Sequence, residues 1–224
     1  MSLLNNRVSV GAAHGLFRRT SRYGLVGREH LPRQGEPYVL AAAHLSHYDP
    51  VVIGALLNRT IDWMAREAFY EGRWSRWACE RAGCVRVDRF GPALPGIREG
   101  LGRLARGRTL GVFPDGEIRR GGASVLGGAS VKAGAVLLAR RGGVPVVPCV
   151  VLNSEQFRRV TPWLPLRRGR LWLGLGPALR FGERGAGVAG RVHRRAEAER
   201  LAEALRSVYR AMDRVFELPD GARP

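Results

Sequence analysis

The apolar residues of the chain fall into short continuous runs that alternate with longer stretches of mixed apolar and polar residues. A continuous apolar run is typical of a strand buried on both faces, whereas apolar residues three or four positions apart indicate a helix. The runs that predict strands are YVLAAAH, IDWMAR, CVRVD, TLGVFP, VPVVPCVVL and LWLGLG. One predicted helix begins at Asp49, and three more cover Trp74–Ala82, Leu94–Ala105 and Lys132–Arg141. The last predicted helix is amphipathic and carries Leu201, Leu205, Val208, Met212 and Val215 on its apolar face.

This alternation predicts an α/β fold with a central mixed, mainly parallel sheet that is flanked by helices. LWLGLG alternates like a late strand near an edge of the sheet. We predict two parts, a short N-terminal amphipathic helical segment over residues 1–25 and one domain over residues 26–224. In the first part, Val8, Leu16 and Phe17 lie at helical spacing, which fits either a packing helix or a surface anchor for anionic lipid.

The charge of the chain points to anionic partners. There are 37 Lys and Arg residues against 19 Asp and Glu residues, the formal net charge is +18, and Lys132 is the only lysine. Nucleic acid, an anionic membrane surface and phosphorylated substrates all fit this charge, which does not choose between them. No uninterrupted apolar stretch approaches the roughly 20 residues that span a bilayer. If the protein acts on lipid, we therefore expect it to lie on the membrane surface.

Two further features predict a cytoplasmic protein. The apolar residues at the start of the chain are interrupted by two asparagines and an arginine, unlike those of a secretory signal. The cysteines, Cys79, Cys84 and Cys149, are odd in number and lack paired or metal-ligand spacing. We interpret them as reduced thiols.

The first candidate for chemistry is the segment HLSHYDP, which begins at His44. We predict His44 at the end of a strand and Asp49 as the N-cap of the next helix, with Pro50 in its first position. Asp49 can then accept a hydrogen bond from one imidazole nitrogen, which leaves the other free to take a proton from a substrate hydroxyl. A capped helix start without catalysis, or a metal site that includes His47, would also fit this pattern.

The second candidate is FPDGEIRR, which covers Phe113–Arg120 after a predicted buried strand. Gly116 allows close approach of the backbone, and the guanidinium groups suit a phosphate or a carboxylate. An isolated copy of this motif would be an ordinary Asp-Gly turn with solvated charges. However, His44, Arg89 and Asp115 each follow a predicted strand, and ligands of such sheets bind beyond the carboxyl ends of strands. The topology can bring these three residues into one crevice.

Taken together, the motifs resemble the conserved blocks of the glycerolipid acyltransferases, the family of 1-acylglycerol-3-phosphate acyltransferases. The segment VGREHLP looks like the family's lead-in before the first strand. Four blocks then follow in the family's order, within Val26 to Leu152: HLSHYDP is the first, GCVRVDR the second, FPDGEIRR the third and VPVVPC the fourth. The resemblance implies that His44 is the general base and that Asp49 orients it. It also implies that the apolar strand of the fourth block helps to build the wall on the acyl side. The residues expected to bind substrate, mainly the phosphate end of the acceptor, are Ser46, Arg89, Asp115, Gly116 and Arg119.

The function that this resemblance implies is transfer of a fatty acyl chain from acyl-CoA or acyl carrier protein to the hydroxyl of 1-acylglycerol 3-phosphate, which gives phosphatidic acid. The acceptor would attack the thioester directly, with no covalent acyl-enzyme and with no metal or organic cofactor. We accordingly expect a peripheral protein on the inner face of the cell membrane, whose partners are the acyl donor, a lysophospholipid acceptor and anionic lipid.

The chain departs from the family pattern mainly on the acceptor side. Arg86 stands for the usual Phe of the second block, and in the third block Asp115 stands for Glu and Glu117 for Thr. The arginine of that block comes one position late, at Arg119, and Ala43 replaces the common Asn before His44. These changes keep open another acceptor, such as a different lysophospholipid or an aminolipid. A basic nucleic-acid-binding protein would account for the charge, but it gives no role to the His-Asp turn.

Overall fold

A computed structural model describes residues 3–88, 94–159, 169–182 and 190–220 of the chain. The strands are β1 (Ser21–Val26), β2 (Val39–Ala42), β3 (Ile61–Arg66), β4 (Val85–Val87), β5 (Thr109–Val112), β6 (Val146–Leu152) and β7 (Gly169–Leu175). The helices are α1 (Leu3–Thr20), α2 (Asp49–Leu57), α3 (Arg73–Ala82), α4 (Leu94–Ala105), α5 (Gly134–Gly142) and α6 (Gly190–Phe216). These elements form one α/β unit, as the alternating pattern predicts.

The sheet has the order β1-β7-β6-β2-β5-β3-β4. The five strands from β6 to β4 are parallel to their neighbours, β7 is antiparallel to β6, and β1 is parallel to β7. The predicted mixed, mainly parallel sheet is therefore confirmed. Because β2, β5 and β6 are adjacent and parallel, their carboxyl ends meet at one edge, and the segments that follow them are brought together there.

Helices cover both faces of the sheet, which explains why its central strands are apolar throughout. In β2, Val39 and Ala41 face the core formed with α4, α5 and α6, whereas Leu40 and Ala42 face the core formed with α1 and α2. Every residue of β2 is fully buried. The predicted closing helix is also present as α6, although Val215, which we predicted on its apolar face, is 62% exposed.

The main element missed by the sequence pattern is β1. Its residues, SRYGLV, neither alternate nor form an apolar run, because this strand lies at an edge and only Ser21 is fully buried. β1 pairs with β7 from Ser21↔Gly169 to Val26↔Gly174. β7 is therefore the second strand of the sheet, and LWLGLG lies near an edge as predicted, next to the edge strand β1. The division of the chain at residue 25 remains a prediction.

Candidate active site

His44 lies two residues beyond β2, at the edge of the sheet where parallel strands end. Three backbone hydrogen bonds fix this segment. Ala43 N donates to Cys149 O (3.1 Å), His44 N donates to Asp115 Oδ2 (3.2 Å), and Arg119 N donates to His44 O (3.0 Å). The backbone of His44 is therefore held by two residues of the third block, so the first and third blocks form one continuous structure.

The side chains of His44 and Asp49 form a hydrogen-bonded pair. His44 Nδ1 lies 3.1 Å from Asp49 Oδ2, and because an ionised carboxylate only accepts, Nδ1 is the donor. The Asp49 carboxylate is 0% exposed, whereas the His44 side chain is 14% exposed. The second ring nitrogen, Nε2, is thus available as a proton acceptor. This is the arrangement that a general base of the His-Asp type requires.

Asp49 is the first residue of α2 and not its N-cap, which is Tyr48. The predicted cap is wrong because the carboxylate turns back toward the preceding turn. Asp49 Oδ2 accepts hydrogen bonds from the backbone N–H groups of Leu45 (2.8 Å) and Ser46 (2.9 Å) as well as from His44. A buried carboxylate is tolerated when it accepts several such bonds, and the N-terminal end of a helix stabilises its negative charge.

The plane of the His44 ring is set by two aromatic side chains. Phe113, which follows β5, stacks on His44 with ring centroids 3.9 Å apart and 20° between the planes. Trp63 of β3 stacks in turn on Phe113, at 4.5 Å and 9°. Gly111 makes room for this stack, because a Cβ there would lie 2.5 Å from Trp63 Cε3. The imidazole is therefore oriented by packing as well as by its hydrogen bond.

Asp115 is buried and supports the backbone around the site. Its Oδ2 accepts from His44 N, and its Oδ1 accepts from Val125 N (3.0 Å). Burial raises the pKa of this carboxyl above its ordinary range, and the two N–H groups oppose that effect. Both oxygens of Asp115 thus already have partners within the protein, and its role in substrate binding remains a prediction.

Gly116 has a positive φ of 79°, a conformation that favours glycine. The side chain of Lys132 lies directly over it, since a Cβ at Gly116 would be 2.7 Å from Lys132 Nζ. Lys132 N also donates to Pro114 O (2.9 Å), and α5 begins at Gly134, two residues after the predicted start at Lys132. The only lysine of the chain is therefore brought to the third block.

The two arginines of the third block have different contacts. Arg119 Nη2 lies 2.8 Å from Glu117 Oε1, and Arg119 Nε is buried without a hydrogen-bond partner in the described part of the chain. Arg120 Nη2 donates to Leu45 O (3.4 Å), so it reaches the turn between His44 and Asp49. Ser46 is buried, and its Oγ accepts from Tyr48 N (3.2 Å).

Of the residues predicted from the sequence, His44, Ser46, Asp49, Asp115, Gly116 and Arg119 all belong to this one region. Arg89 lies outside the described residues. The sequence analysis missed Ser154, whose Oγ donates to Asp49 Oδ1, and it also missed Lys132 and Phe113 as parts of the site. The lone lysine after the third block was the available signal for Lys132.

Two further features of the described residues concern other kinds of site. No group of three or more His, Cys, Asp or Glu side chains in these ranges is arranged to hold a metal ion. None of the helices in the same ranges combines the length and the apolar character needed to cross a membrane. Cys79, Cys84 and Cys149 are free thiols.

Comparisons with known proteins agree with the geometry. A curated 1-acyl-sn-glycerol-3-phosphate acyltransferase of Streptococcus pneumoniae is 28% identical over 120 residues, which are 53% of this chain and 42% of that protein. A protein of the same name from Saccharomyces cerevisiae is 30% identical over 134 residues, 58% of this chain and 43% of the yeast protein. The alignments thus span less than half the length of these relatives.

The fold also has a counterpart among solved structures. The crystal structure of the 1-acyl-sn-glycerophosphate (LPA) acyltransferase PlsC from Thermotoga maritima matches with a TM-score of 0.62 at 17% identity, over 95% of this chain and 82% of that one. A sequence model of the family described as Acyltransferase matches residues 23–152, a range that contains the His44–Asp49 turn and the third block. Since this range is more than half of the chain, the chain belongs to the Acyltransferase family.

Proposed function

We propose that this protein transfers a fatty acyl chain from a thioester, acyl-CoA or acyl carrier protein, to the hydroxyl of 1-acylglycerol 3-phosphate, and so forms phosphatidic acid. The observation that carries the proposal is the His44–Asp49 pair, in which a fully buried carboxylate accepts from Nδ1 of a partly exposed imidazole. The two curated relatives carry the name of this activity. His44 is the general base and Asp49 the residue that orients it.

The reaction needs one proton to be moved twice. His44 Nε2 takes the proton of the acceptor hydroxyl while the oxygen forms a bond to the thioester carbonyl carbon. The C–S bond then breaks, and the departing thiolate receives the proton from His44. The Asp49 carboxylate stabilises the imidazolium that exists between these steps, as in other His-Asp pairs. No acyl group becomes attached to the protein.

The acceptor phosphate is held by cations in and around the third block. Lys132 Nζ lies over Gly116, and Arg120 reaches the carbonyl of Leu45. Arg119 and Arg89 join them in the proposal. Ser46, Asp115 and Gly116 shape the loop that presents these groups. Arginine and lysine suit a phosphate because they supply charge together with several N–H donors.

An exposed apolar surface next to the catalytic turn supports a membrane location. Leu16, Tyr48 and Val51 are 46%, 36% and 57% exposed. Phe157 brings their segments together, since its ring lies 5.5 Å from the ring of Phe17 and 6.1 Å from that of Tyr48. The exposed Arg18 and Arg19 follow at the end of α1. Apolar side chains beside arginines are typical of a surface that binds anionic lipid.

Acyl transfer from labelled acyl-CoA and acyl carrier protein to a panel of acceptors tests the proposal. We expect transfer to 1-acylglycerol 3-phosphate that disappears in His44→Ala and is strongly reduced in Asp49→Asn. Cosedimentation with phosphatidylglycerol vesicles tests the surface, with Leu16→Ser and Val51→Ser as variants. Absence of transfer from both donors to every acceptor would contradict the proposed function.

One observation favours a second acceptor class. Glu117 adds a carboxylate to the third block, where it contacts Arg119. A carboxylate in this position suits an acceptor with a cationic group, such as an aminolipid, because it compensates the cation while the arginines bind the acidic part. Transfer to an aminolipid that is lost in Glu117→Thr, with retained transfer to 1-acylglycerol 3-phosphate, would identify this alternative.

A further inference from the structure

Ser154, in the turn after β6, makes a hydrogen bond to the Asp49 carboxylate of the His44–Asp49 pair. Its Oγ donates to Asp49 Oδ1, and both residues are 0% exposed. Ser154 follows β6 after one intervening residue and lies beyond the range that the family model matches. The contact joins residues that are 105 positions apart in the chain.

The two oxygens of Asp49 are used in different ways. Oδ2 accepts from His44 Nδ1 and from the backbone N–H groups of Leu45 and Ser46. Oδ1 has Ser154 as its hydrogen-bond donor, and no other donor to Oδ1 occurs among the described residues. A carboxylate can rotate about its last side-chain bond, and the donors on both oxygens together determine its plane.

The local backbone delivers Ser154 to this position. Asn153, the residue between β6 and Ser154, has a φ of 66°, in the left-handed region that asparagine tolerates better than most residues. Its Nδ2 donates to Arg170 O (2.8 Å), and its own carbonyl accepts from Gln156 Nε2 (2.8 Å). This turn reverses the direction of the chain after β6 and directs Ser154 back toward α2.

We propose that Ser154 is a positioning residue of the acyl transfer, which holds the Asp49 carboxylate in the plane that keeps His44 in its Nδ1–H tautomer. This role rests on the proposed function, in which His44 must present a free Nε2. Without the serine hydroxyl, Oδ1 is a buried acceptor with no partner among the described residues, and only the donors to Oδ2 hold the carboxylate, so its plane is no longer fixed from both sides. The His44 ring then samples both tautomers, only one of which can accept the substrate proton.

The test compares Ser154→Ala with Ser154→Thr, which keeps the hydroxyl. Ser21→Ala is the matched control, because Ser21 is a buried serine of β1 whose Oγ has no hydrogen-bond partner among the described residues. We expect Ser154→Ala to lower kcat about tenfold with little change in KM, the scale of one hydrogen bond to a charged group. Ser154→Thr should recover most of this loss, and Ser21→Ala should leave both constants unchanged.

A measurement on the ring separates this inference from the proposed function. Nitrogen-15 NMR of the imidazoles, with His44 assigned by its absence in His44→Ala, reports the tautomer even if no acyl transfer is found. We expect one tautomer in the wild type and in Ser154→Thr, and a mixture in Ser154→Ala. An unchanged tautomer or an unchanged kcat in Ser154→Ala would overturn the inference and leave the proposed function intact. If the extra methyl group of threonine prevents folding, the tautomer in Ser154→Ala decides alone.

Discussion

The two ends of the sheet differ in what they offer a ligand. At the amino ends of β3 and β5 there is a cavity of about 1310 Å³, lined by five arginines: Arg7, Arg59, Arg103, Arg106 and Arg108. Near it, the buried Asp62 is paired with Arg103 (3.2 Å) and Arg108. At the carboxyl ends, a smaller set of groups contains an oriented imidazole, its carboxylate and the cations of the third block.

Under the proposed function, the reaction takes place at the carboxyl ends of the strands, so neither cavity volume nor positive charge identifies the active site. In a chain with a net charge of +18, arginines line many surfaces. Two of the arginines in the cavity at the amino ends neutralise the buried carboxylate of Asp62. A proton-transfer site instead needs a base whose orientation is fixed by its neighbours and whose free nitrogen is accessible to a substrate. Only the carboxyl end provides this combination among the described residues, with His44 stacked, hydrogen-bonded and partly exposed.

The largest expected difference is between a substitution at the carboxyl ends of the strands and one at the amino ends. His44→Ala should lower kcat/KM for acyl transfer by roughly 100- to 10,000-fold, the usual contribution of a general base. Arg59→Ala, which removes a cation from the cavity at the amino ends, should leave kcat/KM within about twofold of the wild-type value. A residue that does not touch the reacting groups adds little to transition-state binding. Steady-state kinetics of acyl transfer give kcat/KM for both variants and the wild type. A larger loss in Arg59→Ala than in His44→Ala would reverse the comparison of the two ends.

Asp62 tests the opposite property, stability without catalysis. Asp62→Ala leaves Arg108 partly buried without its carboxylate, whereas Arg103 keeps its ion pair with Glu99. The substitution should lower the free energy of unfolding by about 3 kcal/mol. Urea unfolding followed by tryptophan fluorescence measures this loss. The folded fraction should retain the wild-type kcat, because Asp62 lies at the amino end of the sheet. A fall in kcat with unchanged stability would connect the amino end to the reaction.

Lys132 and Arg106 are exposed cations at opposite ends of the sheet, and we expect their substitution to differ in its effect on KM for the acceptor. Lys132→Met should raise KM for the acceptor about tenfold with little change in kcat, the scale of one charged hydrogen bond to a phosphate. Lys132→Arg should recover part of the affinity, because it keeps the charge. Arg106→Met, in the cavity at the amino ends, is the matched control and should not alter KM for the acceptor. Equal effects of both substitutions would mean that the overall charge, and not a phosphate site, attracts the acceptor.

The smallest effect concerns Asp115 and pH. Because burial raises the pKa of this carboxyl in the folded protein, the folded state binds its proton more tightly than the unfolded state does. The contribution of Asp115 to stability is therefore most favourable below its unfolded pKa of about 3.9 and is lost as pH rises through the folded pKa. Across this window, the free energy of unfolding should fall less with rising pH in Asp115→Asn than in the wild type. Urea unfolding at several pH values measures this slope, and identical slopes would contradict the raised pKa.

Elements with a clear pattern were predictable from the sequence. IDWMAR and Leu94–Ala105 agree with β3 and α4 at both ends, because a buried strand and an amphipathic helix each have their own periodicity. β1 was not predictable from its own residues, since an edge strand can be partly polar and its pairing depends on β7. The overall order of the sheet depended on such distant pairings.

The candidate site divides in the same way. The spacing of His44 and Asp49 was sufficient to predict that they contact each other, because both belong to one turn. The cap assignment of Asp49 was wrong, since its carboxylate binds N–H groups that precede it. The contact with Ser154 crosses from β6 to α2 and has no local pattern in the sequence. Distant side-chain contacts of this kind become visible only once the fold is known.

The pairing of β1 with β7 has a consequence for synthesis on the ribosome. β1 finds its partner strand about 150 residues later in the chain, which makes this one of the most non-local pairings of the sheet. Until β7 has been translated, β1 lacks its partner strand, whereas α1 can already pack against α2. This edge of the sheet therefore forms late, after most of the chain has been synthesised.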